Sequence, residues 1–185
     1  MSAKPGRSLQ EKQSAYHEAV HAVAGHLFGQ RCLHVIIRTG GGYGTCVFAD
    51  PTNVHQRLCE GDVDALAWAK RKIIVLAAGA ESERTLRRVS IVSGDQYDLA
   101  AIRNLLAEML PIPAMDATSE AWTEWKRGQA ERPRRISRKA KKIITASVNR
   151  AAIESWAARL LETHVVRGEK AMTIIENALA TAGPS

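Results

Sequence analysis

Long apolar runs are missing from this sequence, and none approaches the ~20 residues that a bilayer crossing requires. A membrane-spanning helix is excluded on that count. Met1 to Gln10 hold two basic residues but no apolar centre and no small-residue cleavage site, so a secretory leader is not expected either. The expected compartment is the cytoplasm. Cysteine is scarce: Cys32, Cys46 and Cys59 are odd in number and widely spaced, which excludes a disulfide framework and a C-x-x-C metal site. They read as free thiols, buried or partly buried. Internal repeats are absent. The run Gly40-Gly41-Gly42-Tyr43-Gly44 lacks a following Gly-Lys-Ser/Thr and does not open a helix, so a tight turn is expected there and not a phosphate loop.

What is present describes an ordinary folded chain. With 45% hydrophobic and 24% charged residues, wholesale disorder is excluded. The 185 residues suffice for one well-buried core, and a single domain over 1–185 is expected. The net charge of +7 is concentrated: nine basic residues lie between Lys126 and Lys142, opposed only by Glu131. Such a run is commonly a solvated face or a subunit contact, and it can also hold nucleic acid or an acidic partner.

Residues 1–7 read as a flexible lead. Ser8 with Glu11 three positions later forms a capping-box signature, opening a helix from about Leu9 to Phe28 that Gly29 stops. Leu33 to Arg38 and Thr45 to Phe48 read as the strands of a hairpin. A second helix is expected over about Val63 to Leu86. A third starts at the Ser93/Gln96 capping spacing and runs to about Leu110, ended by Pro111 and Pro113. Residues 111–133, with three prolines and two tryptophans, read as a long connection with at most a helical turn at Trp122 and Trp125. Residues 134–182 read as a C-terminal helical hairpin: one helix from about Arg134 to His164, then Gly168, then a last helix carrying Ile174, Ile175, Ala178 and Leu179. The fold class is mainly α (α+β), with one small sheet or hairpin beside the first helix.

Inside that first helix, His17-Glu18-Ala19-Val20-His21 is an H-E-x-x-H pattern. Side chains four apart stack on one helix face, so both imidazoles can reach one ion. Zinc takes nitrogen donors at about 2.0–2.1 Å, and two histidines one turn apart can supply them. Glu18 lies off the axis of the pair, suited to taking a proton from zinc-activated water as general base, then passing it to a leaving amine. A catalytic zinc commonly has three protein ligands. His26, five residues past His21, lies about 140° round the helix and reads as an ordinary helix histidine. Glu81, Glu83, Asp95 and Asp98 remain as candidate third ligands.

Ala15 to Val23 resembles the active-site helix of the FtsH family of ATP-dependent zinc proteases. Further segments resemble the family in the same order: Val35-Ile36-Ile37-Arg38 through Gly44-Thr45, Leu76-Ala77-Ala78-Gly79-Ala80-Glu81, Ser93-Gly94-Asp95-Gln96-Tyr97-Asp98-Leu99, and Arg159 to Glu162 with Gly168-Glu169. The resemblance covers about residues 9–180 and is to the peptidase domain alone, since no Walker motif or membrane helix accompanies it. It implies that Asp98 is the third zinc ligand beside His17 and His21, with Asp95 a turn or capping residue. Val20 stands where the family carries glycine, adding bulk where a neighbouring element approaches.

The expected function is therefore that of a zinc endopeptidase acting on unfolded or flexible protein segments, ATP-independent in itself. The family's ring assemblies point to a homo-oligomer such as a hexamer, or to a separate ATPase that delivers substrate. The alternative is an inactive module of the same fold that uses the 126–142 run to bind nucleic acid or an acidic partner. An extended peptide is expected to add to the edge of the Leu33–Ile37 strand.

Overall fold

The computed structural model describes residues 7–40, 44–87, 94–109 and 112–182. Most of the lead, the turn at 41–43 and the Ser93 helix start lie outside them, as do Leu110, Pro111 and the side chain of Asp95. The architecture is mainly helical, with one three-stranded antiparallel sheet. In chain order the elements are α1 (Leu9–Leu27), β1 (Cys32–Ile37), β2 (Gly44–Phe48), α2 (Val54–Cys59), α3 (Val63–Arg87), α4 (Gly94–Met109), α5 (Ser119–Thr145), α6 (Ser147–Thr163), β3 (Val165–Arg167) and α7 (Glu169–Ala182).

Helix α1 starts as its sequence dictates. Ser8 Oγ accepts from Glu11 N at 3.1 Å, and Glu11 Oε2 accepts from Ser8 N at 3.0 Å. The other Glu11 oxygen accepts from Gly40 N at 3.2 Å, tying the helix start to the β1–β2 turn. These backbone donors hold the Glu11 carboxyl below its ordinary range. Gly29, at φ +66°, follows the last turn in the left-handed conformation that ends helices.

α1 is the central element, packed by α6, α3, α7 and the sheet. Ala15, Ala19, Ala22 and Val23 are buried in a core completed by Ile153, Trp156 and Leu160 of α6 and Ile175 of α7. Val20 is 1% exposed and belongs to the same core, so the bulk of its side chain is accommodated.

Four features depart from the sequence reading. The first is the sheet, whose order β2-β1-β3 covers both edges of β1. β3 pairs through His34↔Arg167, Val35↔Val166 and Ile36↔Val165, and main-chain bonds Ile37 N to His164 O (2.9 Å) and Gly168 N to Leu33 O (2.7 Å) flank it. A peptide therefore cannot add to the Leu33–Ile37 strand. The three residues of β3 are too few to show a strand period, so the sequence does not announce the strand. Second, much of the expected 111–133 connection is helix. α5 begins at Ser119, capped by Thr118 Oγ1 accepting from Ala121 N at 3.3 Å, and continues through the exposed Pro133. Third, the helix expected over 134–164 breaks at Ala146, whose extended backbone (φ −62°, ψ 131°) ends α5 and starts α6. Asn149 Nδ2 donates to Ile143 O across the break at 2.9 Å, a local side-chain bond in place of the glycine or proline that would have announced it. Fourth, α2 is a short additional helix.

The thiols are free. Cys32 Sγ and Cys46 Sγ are 3.9 Å apart across β1 and β2, and Cys59 is exposed. Among the described residues no helix is long and apolar enough to cross a membrane.

Candidate metal centre

The H-E-x-x-H segment lies in the middle of α1, with His17, Glu18 and His21 only 7%, 5% and 5% exposed. The two imidazoles are edge-to-face, their centroids 4.6 Å apart, as residues one helical turn apart must be to share a target. α3 and α4 supply what α1 cannot. Asp98, in α4, points its Oδ2 at both rings: 3.0 Å from His21 Nε2 and 3.2 Å from His17 Nε2. The two Nε2 atoms are themselves 2.9 Å apart.

The outward nitrogens fix the rings. His21 Nδ1–H donates to the Val75 carbonyl on α3 at 3.0 Å, which leaves Nε2 with its lone pair directed into the centre when the ring is neutral. His17 Nδ1 lies 2.9 Å from Glu83 Oε1 on α3; the ring N–H is not aimed along that line, so the contact is mainly electrostatic. Histidine ligands characteristically have such a carboxylate or carbonyl behind them. Among the open candidates for third ligand, the geometry separates the carboxylates. Glu83 stands behind His17 on its Nδ1 side. Glu81 faces away, accepting from Ser137 Oγ of α5 at 2.6 Å and from Arg84 at 2.9 Å, and so ties α3 to α5.

Two nitrogens and one carboxylate oxygen within 3.2 Å of each other suit a shared cation. In a tetrahedron with bonds of about 2.0–2.1 Å, ligand atoms sit roughly 3.3 Å apart, close to these separations. The group His17, His21 and Asp98 can thus hold a metal ion. Without one, protons must do the work. Burial pulls the His17 imidazole down, but the Asp98 and Glu83 carboxylates beside it outweigh this and raise it to about 10. Asp98 is lowered: burial opposes ionisation, but the His21 and His17 rings overcome it.

Glu18 is adjacent and different. Burial raises its carboxyl above the usual range, partly offset by the histidines. No hydrogen bond among the described residues engages it. It is held by shape: Gly44, the first residue of β2, lies so close that a Cβ there would sit 2.8 Å from Glu18 Oε1. Gly79 of α3 does the same for the rings, since a Cβ would collide with His21 Cε1 and Nε2 and come within 3.0 Å of Asp98 Oδ2. Both glycines permit close backbone approach to a site. Neither signals that role in the sequence, and the Val75 carbonyl carries no side-chain signal at all. His26 stays apart in the last turn of α1, where a histidine complements the helix dipole.

No family model matches the chain, and no curated protein matches it in sequence.

Proposed function

We propose that the protein is a zinc-dependent peptidase that cleaves unfolded or flexible polypeptide, with His17, His21 and Asp98 as metal ligands and Glu18 as general base. The observation that carries this reading is the convergence of His17 Nε2, His21 Nε2 and Asp98 Oδ2 on one point, with an unengaged carboxylate beside it. Two imidazoles and a carboxylate also suit iron(II) in oxygenases. Glu18 favours the hydrolase: a buried carboxylate next to the metal but outside its ligand set is what hydrolysis needs and oxygenation does not.

A zinc ion in this set would supply Lewis acidity, polarising a scissile carbonyl and lowering the pKa of water toward neutrality. The remaining chemistry belongs to the chain. Glu18 takes the proton of the attacking water and delivers it to the departing amine nitrogen. Its raised pKa brings it nearer working pH, which suits a group that must both accept and release a proton. Glu83 and the Val75 carbonyl keep the rings oriented meanwhile.

Substrate is held, in this reading, along β2. That strand pairs only with β1 among the described residues, leaving an edge that begins at Gly44 against Glu18. Main-chain pairing there selects extended chain and demands little of its side chains. The free thiols fit a reducing cytoplasm.

The test is Glu18→Gln, assayed on unfolded casein with metal content measured in parallel. Zinc stays at one per chain, and cleavage falls by at least about 10²-fold. Equal cleavage by wild type and variant removes Glu18 from the mechanism. Zinc bound with no cleavage by the wild type favours an inactive binding module.

A further inference from the structure

Six cations crowd nine residues of α5: Arg134, Arg135, Arg138, Lys139, Lys141 and Lys142. No acidic residue lies among them, all six are exposed, and none makes an ion pair among the described residues. Arg127, further up the helix, is by contrast paired with Glu124 at 3.5 Å.

Helical geometry sorts the six into two rows. At roughly 100° per residue, Arg134, Arg138 and Lys141 fall within about 60° of one another, and Arg135, Lys139 and Lys142 form a second row of about the same width about 100° further round. Each row has i, i+4, i+7 spacing and is about 11 Å long. The other side of the helix carries Ala140 and Ile144, which belong to the core, Ile136 and Ile143, which pack against it, and Ser137, bonded to Glu81. α5 is thus anchored on α3 by one face and presents two parallel ridges of positive charge on the other.

We propose that this face of α5 is a docking surface for duplex DNA. Charge and shape both point there. A major groove about 12 Å wide admits one α-helix between two walls of phosphates. Two cation rows set about 100° apart address those two walls at once, whereas a flat anionic membrane would meet one row or the crest between them. Ile136, Ala140, Ile143 and Ile144 are turned inward, so the 134–142 face offers no apolar side chain to lipid. Arginine supplies half of the charge, and its planar fork matches phosphate oxygens. The contacts are to backbone, so the binding is insensitive to base sequence. The net charge of +7 adds long-range attraction for a polyanion. This surface is independent of the metal centre, and its failure would leave the peptidase reading untouched.

The experiment is fluorescence anisotropy of a labelled 20-base-pair duplex with the full chain, titrated at several salt concentrations. Engagement of six phosphates gives a slope of log K against log salt of about −5. Two triple variants, Arg134→Ala/Arg138→Ala/Lys141→Ala and Arg135→Ala/Lys139→Ala/Lys142→Ala, each remove one row. Each should bring the slope to about −3 and weaken binding by more than about tenfold, with zinc content and casein cleavage unchanged. Circular dichroism checks that the exposed substitutions leave the fold intact. Vesicles of phosphatidylserine and an acidic peptide are run at the same salt. Absence of salt-sensitive duplex binding, or row variants that bind like wild type, overturns the proposal. Tighter binding to the vesicles or to the peptide than to the duplex overturns it too, and assigns the face to that partner.

Discussion

One side of α1 carries Ala15, Ala19 and Ala22, and the other carries His17 and His21; all five are at most 7% exposed. The alanine side meets its surroundings with small apolar surface, and its stability rests on area removed from water and on close packing. The histidine side is buried just as deeply, yet every polar atom there needs a partner. Val75, Glu83 and Asp98 supply partners from α3 and α4, and what they leave is a cluster of three inward-facing donor atoms. Burial alone does not tell the two sides apart. The difference is that the apolar side is complete by itself, whereas the polar side is completed by a proton or a metal.

The comparison breaks hardest at Asp98. Asp98→Ala removes the oxygen that faces both rings, and elemental analysis should show zinc lost from a chain that remains folded. If Asp98→Ala keeps a full complement of zinc while Glu83→Ala loses it, the third ligand comes from α3 instead. The apolar counterpart is Trp156, fully buried in α6. Trp156→Ala should cost about 3–5 kcal/mol of unfolding free energy by denaturant titration of the zinc-loaded protein. Zinc stoichiometry in the fraction that stays folded should be unchanged. A Trp156 variant that is fully stable but has lost zinc would show that the two sides are not separable.

A smaller effect tests the partner behind the ring. Glu83→Gln keeps the shape and removes the charge facing His17 Nδ1. Zinc affinity should drop roughly 10–100-fold, measured by chelator competition, and an unchanged affinity would make Glu83 a bystander. The proton that stands in for the metal can be counted. His17, raised to about 10 in the metal-free protein, is protonated at neutral pH, and a ligand must be neutral. Zinc uptake should therefore release a proton at pH 7, and apparent affinity should climb with pH until about 10, then level off. Calorimetry in buffers of different ionisation enthalpy reads the proton count, and zero release at pH 7 contradicts the assignment. Smallest is the helix start: Ser8→Ala removes one half of the capping box and should lower stability by about 1 kcal/mol in a thermal or urea melt, leaving zinc content as it was.

The sequence alone determined what depends on neighbours in the chain. The Ser8/Glu11 box, the Gly29 stop, the one-turn spacing of His17 and His21 and the helical character of α3 all follow from local periodicity and capping. So did the shortlist of acidic residues from which the third donor comes. Tertiary structure decided everything that needs two distant segments to meet. It brought Asp98 to the rings across 77 positions and set Glu83 behind one imidazole and the Val75 carbonyl behind the other. Gly44 and Gly79 became the places where backbone touches the site. It also placed β3 on the second edge of β1, leaving β2 paired on one side only among the described residues. None of these leaves a mark in a window of ten residues, because each is fixed by packing and by hydrogen bonds between parts of the chain that the sequence lists far apart.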